Sequence, residues 1–164
     1  MVLFDTNIIG TFTLINEMDR LFVLFSGDEL GVTPAVYSEL MAGICEGRQF
    51  LQPAVEMIEN GKLTLVTLTA KEVIRQLGLP TSLNAGEAES IALCQSRDAA
   101  FVTNDRRARN FCRAEGIEVF DLIEILRSLW KLDICSKKQV RRIVADIEIK
   151  EKLVIKHKEE IFAR

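Results

Sequence analysis

Short apolar runs alternate with segments of helical spacing along most of this chain, and that alternation constrains the fold more than any other feature. Residues 2 to 5, 29 to 33, 62 to 68, 100 to 104 and 117 to 120 are rich in Val, Phe, Ile and Thr and end in polar positions, as buried strands do. Between them lie groups at helical spacing: Leu21, Leu24 and Phe25; Val36, Leu40 and Ile44; Ile91, Ala92 and Gln95; Ala108, Phe111 and Cys112. Strand, helix, strand order implies an α/β fold, with a central, mostly parallel five-stranded sheet flanked by helices on both faces. After the last strand, Leu122, Ile125, Leu126 and Leu129 predict one helix, and Val140, Ile143, Val144 and Ile147 a second beyond an N-cap at Ser136. The expected organisation is a core over 1–122 and a C-terminal helical extension over 123–164 packed on the same domain. The charged tail from Lys150, with its apolar Leu153-Val154-Ile155 insert, reads as neither strand nor helix.

The chain has 164 residues, 48% of them hydrophobic, which is the size and content of one domain with a real core. Its net charge of −3 leaves no basic field over the whole molecule, so contact with nucleic acid would have to come from a local patch. Cys45, Cys94, Cys112 and Cys135 have no CxxC spacing, which argues against a zinc site or a disulfide framework and predicts buried free thiols in a reducing compartment. No basic leader and no apolar run of membrane-spanning length is present, so the expected location is the cytoplasm.

Four carboxylates carry the functional signal. Asp5 closes the first strand run, Asp105 follows Phe101-Val102-Thr103, Glu39 lies in a helical segment and Glu87 opens another. The carboxyl ends of the strands of an open α/β sheet share one edge, where residues distant in sequence converge. Each acid also has a structural reading. Asp5 and Asp105 stand where a helix N-cap is wanted, Glu87 follows Asn84 by the three residues of a capping box, and Glu39, after Thr33-Pro34, fits a solvated helix face.

Their surroundings are richer than capping requires: Val2-Leu3-Phe4-Asp5-Thr6-Asn7, then Thr33-Pro34-Ala35-Val36-Tyr37-Ser38-Glu39-Leu40, then Gly86-Glu87-Ala88-Glu89, then Val102-Thr103-Asn104-Asp105. In this order the chain resembles the PIN-domain nucleases over residues 1 to about 122, particularly the VapC-like branch of prokaryotic toxin-antitoxin pairs. The resemblance implies that Asp5, Glu39, Glu87 and Asp105 form a catalytic, metal-binding quartet for Mg²⁺ or Mn²⁺, with Asn7 and Thr103 as polar support. Many relatives have Asp at the third position, where this chain has Glu87 with Glu89 close behind. Glu89 points elsewhere on the helix and would be a peripheral ligand or a substrate-side acid. Hard divalent cations prefer carboxylate oxygens, and clustered carboxylates repel one another unless a cation neutralises them.

The resemblance further implies a metal-dependent endoribonuclease acting on single-stranded RNA, a homodimer, and a small antitoxin whose tail covers the cleft. Arg106, Arg107 and Arg109, with Arg113, directly follow Asp105 and are the expected backbone grip; as a structural alternative, Arg106, Arg109 and Arg113 share one side of a solvated helix. The helix bearing Leu126, Leu129 and Trp130 and the tail beyond Ser136 offer an expected partner surface. Three rivals stand beside this reading. A haloacid-dehalogenase-type phosphohydrolase would need a second Asp where Asn7 stands, and no phosphate-binding Gly-rich loop occurs. The others are a non-catalytic PIN-like binding protein and an interaction module whose acids are only caps.

Overall fold

The three buried residues Val2–Phe4 form β1, the middle strand of a sheet that runs parallel throughout. The structure, a computed structural model, describes residues 1–163. From β1 the chain continues through α1 (Thr6–Leu14) and α2 (Met18–Leu24) to β2 (Leu30–Val32), α3 (Pro34–Cys45), α4 (Gln52–Glu59) and β3 (Thr64–Leu65). It then passes through α5 (Ala70–Leu77) and α6 (Ala85–Ser96) to β4 (Ala100–Val102), α7 (Arg106–Ala114), β5 (Val119–Phe120), α8 (Leu122–Lys131) and α9 (Lys137–Glu151). The strand order is β3-β2-β1-β4-β5. The winding reverses between β1 and β4, and a crevice opens at their carboxyl ends.

The period-2 alternation of the strands sorts the core into two layers. Val2, Phe4, Ala100 and Val102 face one apolar cluster, filled by α1, α3, α4, α8 and α9; Leu3 and Phe101 face the other, filled by α6 and α7. Phe4, Phe12 and Phe101 are fully buried, each worth up to about 3 kcal/mol of transfer free energy.

Asp5 and Asp105 fall outside the strands because both are N-caps, so pairing ends at Phe4 and Val102. The apolar run 62 to 68 yields only the edge pair Thr64–Leu65, although Leu63 and Val66 beside it are buried. The helices α4 and α5 are additions to the sequence reading, and α5 carries a legible signal in the capping box Thr69/Glu72. Three thiols are buried, but Cys45 is exposed at the end of α3. Leu126 and Leu129 are wholly buried in the cluster that holds β1 and α1, as are Ile143 and Ile147, so they offer no partner surface. The tail folds back as a 3₁₀ turn, Lys158–Phe162, with Ile161 buried and its carbonyl accepting from Trp130 Nε1 at 2.6 Å.

One ion pair anchors α5. Arg97 Nε and Nη2 each donate to the buried carboxylate of Glu72 at 2.8 Å, and Nη2 also reaches Thr67 O at 3.0 Å. The Arg97 hydrogen bonds first, then those of Thr69, hold the Glu72 carboxyl at about 2, against an unshifted 4.5. A depressed folded-state pKa contributes stability that is present above the unfolded value and lost as pH falls through the folded one. Arg97→Met is therefore expected to cost about 2 kcal/mol near neutrality, between the ranges for exposed and buried pairs. The difference in Tm between wild type and variant should shrink as pH is lowered from 4.5 toward 2; a pH-independent difference would assign the effect to packing alone.

Candidate active site

Asp5, at the carboxyl end of β1, is 2% exposed and fully engaged. Its Oδ1 accepts from Thr6 N at 2.8 Å; its Oδ2 accepts from Asn7 Nδ2 at 2.7 Å and from Thr103 Oγ1 at 2.6 Å. Thr103 Oγ1 in turn accepts from Asp105 N at 3.1 Å, and Asn7 Oδ1 from Asn104 N at 3.2 Å. Asn7 and Thr103 thus clamp Asp5 and stitch the β1 end to the β4 end. Burial raises the Asp5 pKa to about 6; hydrogen bonds from Thr103 and Thr6 oppose this, and the charges of Glu39 and Asp105 add to it.

The other three acids reach the same edge from separate elements. Glu39, on α3, accepts from the Thr6 hydroxyl through Oε2. Glu87, at the third position of α6, accepts from Asn84 N at 2.9 Å through Oε2 in a capping box. Asp105 caps α7, its Oδ1 accepting from Arg107 N at 2.8 Å and Ala108 N at 3.0 Å. Burial raises the Glu87 pKa, the Asn84 backbone lowers it, and Asp105, Asp5 and Glu39 all raise it further. The Glu87 carboxyl thus lies within electrostatic reach of the other three.

For Glu39, Glu87 and Asp105 the structural and functional readings are compatible, because each role uses a different oxygen, whereas both oxygens of Asp5 already accept hydrogen bonds. Glu39 Oε1, Glu87 Oε1 and Asp105 Oδ2 make no hydrogen bond among the described residues. A set of hard, mutually repelling oxygen donors suits a divalent cation such as Mg²⁺. As the side chains stand, however, no three His, Cys, Asp or Glu of the described residues converge closely enough to hold an ion, so binding one requires side-chain movement.

Sequence reasoning missed one participant, Thr6, which ties Glu39 to the β1 end. Asn84 sets Glu87 through the expected capping box, whereas Glu89, expected as a peripheral ligand or substrate-side acid, accepts through Oε2 from Ala35 N at 2.8 Å and docks α6 onto the start of α3. Glu89 thus serves the scaffold rather than the site edge. Thr6 sits in the Asp5-Thr6-Asn7 triplet, where a hydroxyl between two polar residues was the available signal.

A cleft of about 1370 Å³ opens over this edge; Asp5, Glu39, Asn84 and Arg106 are on its wall, while Glu87, Asp105 and Arg107 are not. That volume exceeds the roughly 300–1,000 Å³ of small-molecule pockets and suits a polymer. Arg109 is also on the wall, but its guanidinium is paired with Asp121, the N-cap of α8, and its Nε is buried without a partner. Arg113 faces Glu124 at 3.8 Å. Arg106 has no partner among the described residues, so it is the free guanidinium of the expected grip that lines the cleft.

The family model described as DUF3368: PIN domain matches residues 1–159. Comparison with curated proteins returns no match. Among solved structures the chain is similar to that described as the 2.2 Å resolution structure of VapBC-1 from nontypeable Haemophilus influenzae, with a TM-score of 0.53 and 18% identity over 74% of this chain and 98% of that one. At that identity the likeness establishes a shared fold.

Proposed function

Since the chain belongs to the PIN-domain family, we propose that it is a metal-dependent endoribonuclease that hydrolyses phosphodiester bonds of single-stranded RNA, and that it is the toxin of a toxin-antitoxin pair. The observation that carries the reading is the meeting of Asp5 and Asp105 at the joined ends of β1 and β4, with Glu39 tied to the same edge by Thr6 and the Glu87 carboxyl raised first by burial and then by the charges of Asp105, Asp5 and Glu39. Such mutual repulsion is a cost that folding alone does not need, and sites of this kind are where chemistry is done.

Asp5 is the central ligand, held in one rotamer by Thr103 and Asn7. Asp105 and Glu87 would complete the set of oxygen donors, and Glu39 would hold a second ion or a water. A bound Mg²⁺ or Mn²⁺ supplies Lewis acidity toward water and charge neutralisation at the phosphate. Arg106 orients a phosphate beside the acids, and no side chain acts as nucleophile. A flexible single strand bends into the cleft more readily than a duplex. A homodimer, an antitoxin that covers the cleft and a cytoplasmic location belong to the same proposal; among the described residues no helix is long and apolar enough to cross a membrane.

The test is cleavage of a fluorescent single-stranded RNA with Mg²⁺ or Mn²⁺, with EDTA and Asp105→Asn as controls. Cleavage by wild type alone supports the reading. A second reading, a PIN-domain protein that binds without cleaving, is favoured by the lack of a converged ion site. Inert protein that also fails to bind either metal would overturn the nuclease reading and return the four acids to capping roles.

A further inference from the structure

The cleft extends well beyond the acids, and its far wall comes from the segment joining α9 to the 3₁₀ turn. Leu153, Val154, Lys156 and His157 line it, as do Arg106 and Phe50 from elsewhere in the chain. This segment is held firmly. Two non-glycine residues in left-handed backbone conformation bracket it, Lys152 at φ 54° and His157 at φ 57°. Between them Ile155 is buried, and its N–H donates to Glu148 Oε1 at 3.0 Å. Lys158 Nζ donates to the same carboxylate at 2.8 and 3.0 Å. With Ile155 pinned inward, Val154 is left 74% exposed and Lys156 is also exposed.

Glu151 and Glu160 also line the cleft, but most of its cations have partners of their own. Lys150 donates to Leu14 O, Arg48 pairs with Glu46 at 2.7 Å and Arg109 with Asp121. Among the described residues Lys156 and Arg106 alone of the cleft's Lys and Arg side chains have no such partner. Phe50, 36% exposed, offers a ring in the same cleft. Unpaired cations along a groove with an exposed aromatic are how proteins hold single-stranded nucleic acid: phosphates meet the cations and bases stack on the ring.

We infer that the loop 152–157 is a substrate clamp, in which Lys156 and Arg106 grip successive phosphates of a single-stranded RNA whose base stacks on Phe50. The inference rests on the nuclease reading for its substrate class but requires no cleavage. It places the strand across the cleft from the acids to the C-terminal segment, so the chain's last turns contribute to binding rather than only to packing.

Binding of a fluorescein-labelled, mixed-sequence single-stranded RNA, followed by anisotropy in EDTA across a salt series, separates the clamp from the chemistry. Each phosphate contact to a single strand contributes about 0.7 to the slope of log K against log salt. Lys156→Ala and Arg106→Ala are each expected to lower the slope by about 0.7 and to weaken binding about 5-fold at 0.1 M salt. Lys138→Ala, on the exposed start of α9, should leave both unchanged. Phe50→Ala should weaken binding with the slope intact. Unaltered binding by Lys156→Ala and Arg106→Ala overturns the clamp and leaves the nuclease assay untouched, and wild type that does not bind RNA at all also overturns it. Should Val154→Glu abolish capture of a second protein chain while Lys156→Ala leaves RNA affinity unaltered, the loop is a protein-docking face and the inference fails.

Discussion

Asp5→Asn is expected to abolish metal-dependent cleavage, by about 10²-fold or more, and at the same time to make the metal-free protein more stable. The two effects have one cause. The Asp5 carboxyl titrates at about 6 in the folded chain, against 3.8 unshifted, because burial outweighs its hydrogen bonds from Thr103 and Thr6, and Glu39 and Asp105 add to the rise. For an acid whose folded pKa is raised, the native state binds more protons between the two values, so stability falls as pH rises through that window. At pH 8 the wild type carries the full penalty, roughly 1–3 kcal/mol; at pH 3 it carries none. Asparagine keeps a carbonyl for Thr6 N and sheds the charge, but its amide nitrogen cannot accept from Asn7 Nδ2 or Thr103 Oγ1, so the gain is smaller than the full penalty removed. Melting without metal should therefore show the variant several degrees above wild type at pH 8, with the gap closing below about pH 4. Adding Mg²⁺ should raise wild type and leave the variant where it was, since only a bound ligand stabilises by mass action. A variant less stable than wild type at pH 8 would show that Asp5 is a structural cap and nothing more.

The sheet was legible in the sequence because a strand buried on both faces must be apolar at every position, and Val2-Leu3-Phe4 and Ala100-Phe101-Val102 are. The edge strand Thr64–Leu65 was legible only as an apolar stretch, because it is two residues long and pairs on one side. The four acids were named from the sequence as a set; in the structure Glu87 lies within electrostatic reach of the other three, but no three of the described acids converge closely enough to hold an ion as the side chains stand. The basic grip was less legible. Arg106, Arg107 and Arg109 are neighbours in sequence, but the acid that neutralises Arg109 is Asp121, twelve residues on in another helix. Nothing local in the chain announces that pairing. The same holds for Lys156: its place in the cleft that Arg106 also lines depends on α9 ending at Lys152, and left-handed backbone at a lysine has no composition signal.

Gly86→Val is expected to lose cleavage almost as completely as an acid variant, although glycine carries no chemistry. Gly86 lies in the first turn of α6, where it meets α3, and a Cβ built there would stand 3.0 Å from Val36 Cγ2 and 3.2 Å from Glu39 Oε1. Val36 is wholly buried and has nowhere to retreat, so the adjustment falls on Glu39. A branched side chain forces α6 from α3, moving Glu87 and Glu39 apart, and misplacement by about 1 Å costs on the order of 10²-fold in rate. Overpacking adds about 1–3 kcal/mol of destabilisation. Gly86→Ala supplies the sharper measurement, because its sign is diagnostic. In an open helical position alanine for glycine stabilises by about 0.4–1 kcal/mol. Here the contact with Glu39 should cancel or reverse that gain and weaken Mg²⁺ binding, read by thermal melting and by metal titration of the same sample. If Gly86→Ala instead stabilises and binds metal as wild type does, α6 and α3 are not in the close contact that brings Glu87 and Glu39 together, and the quartet loses the geometry that makes it a single site.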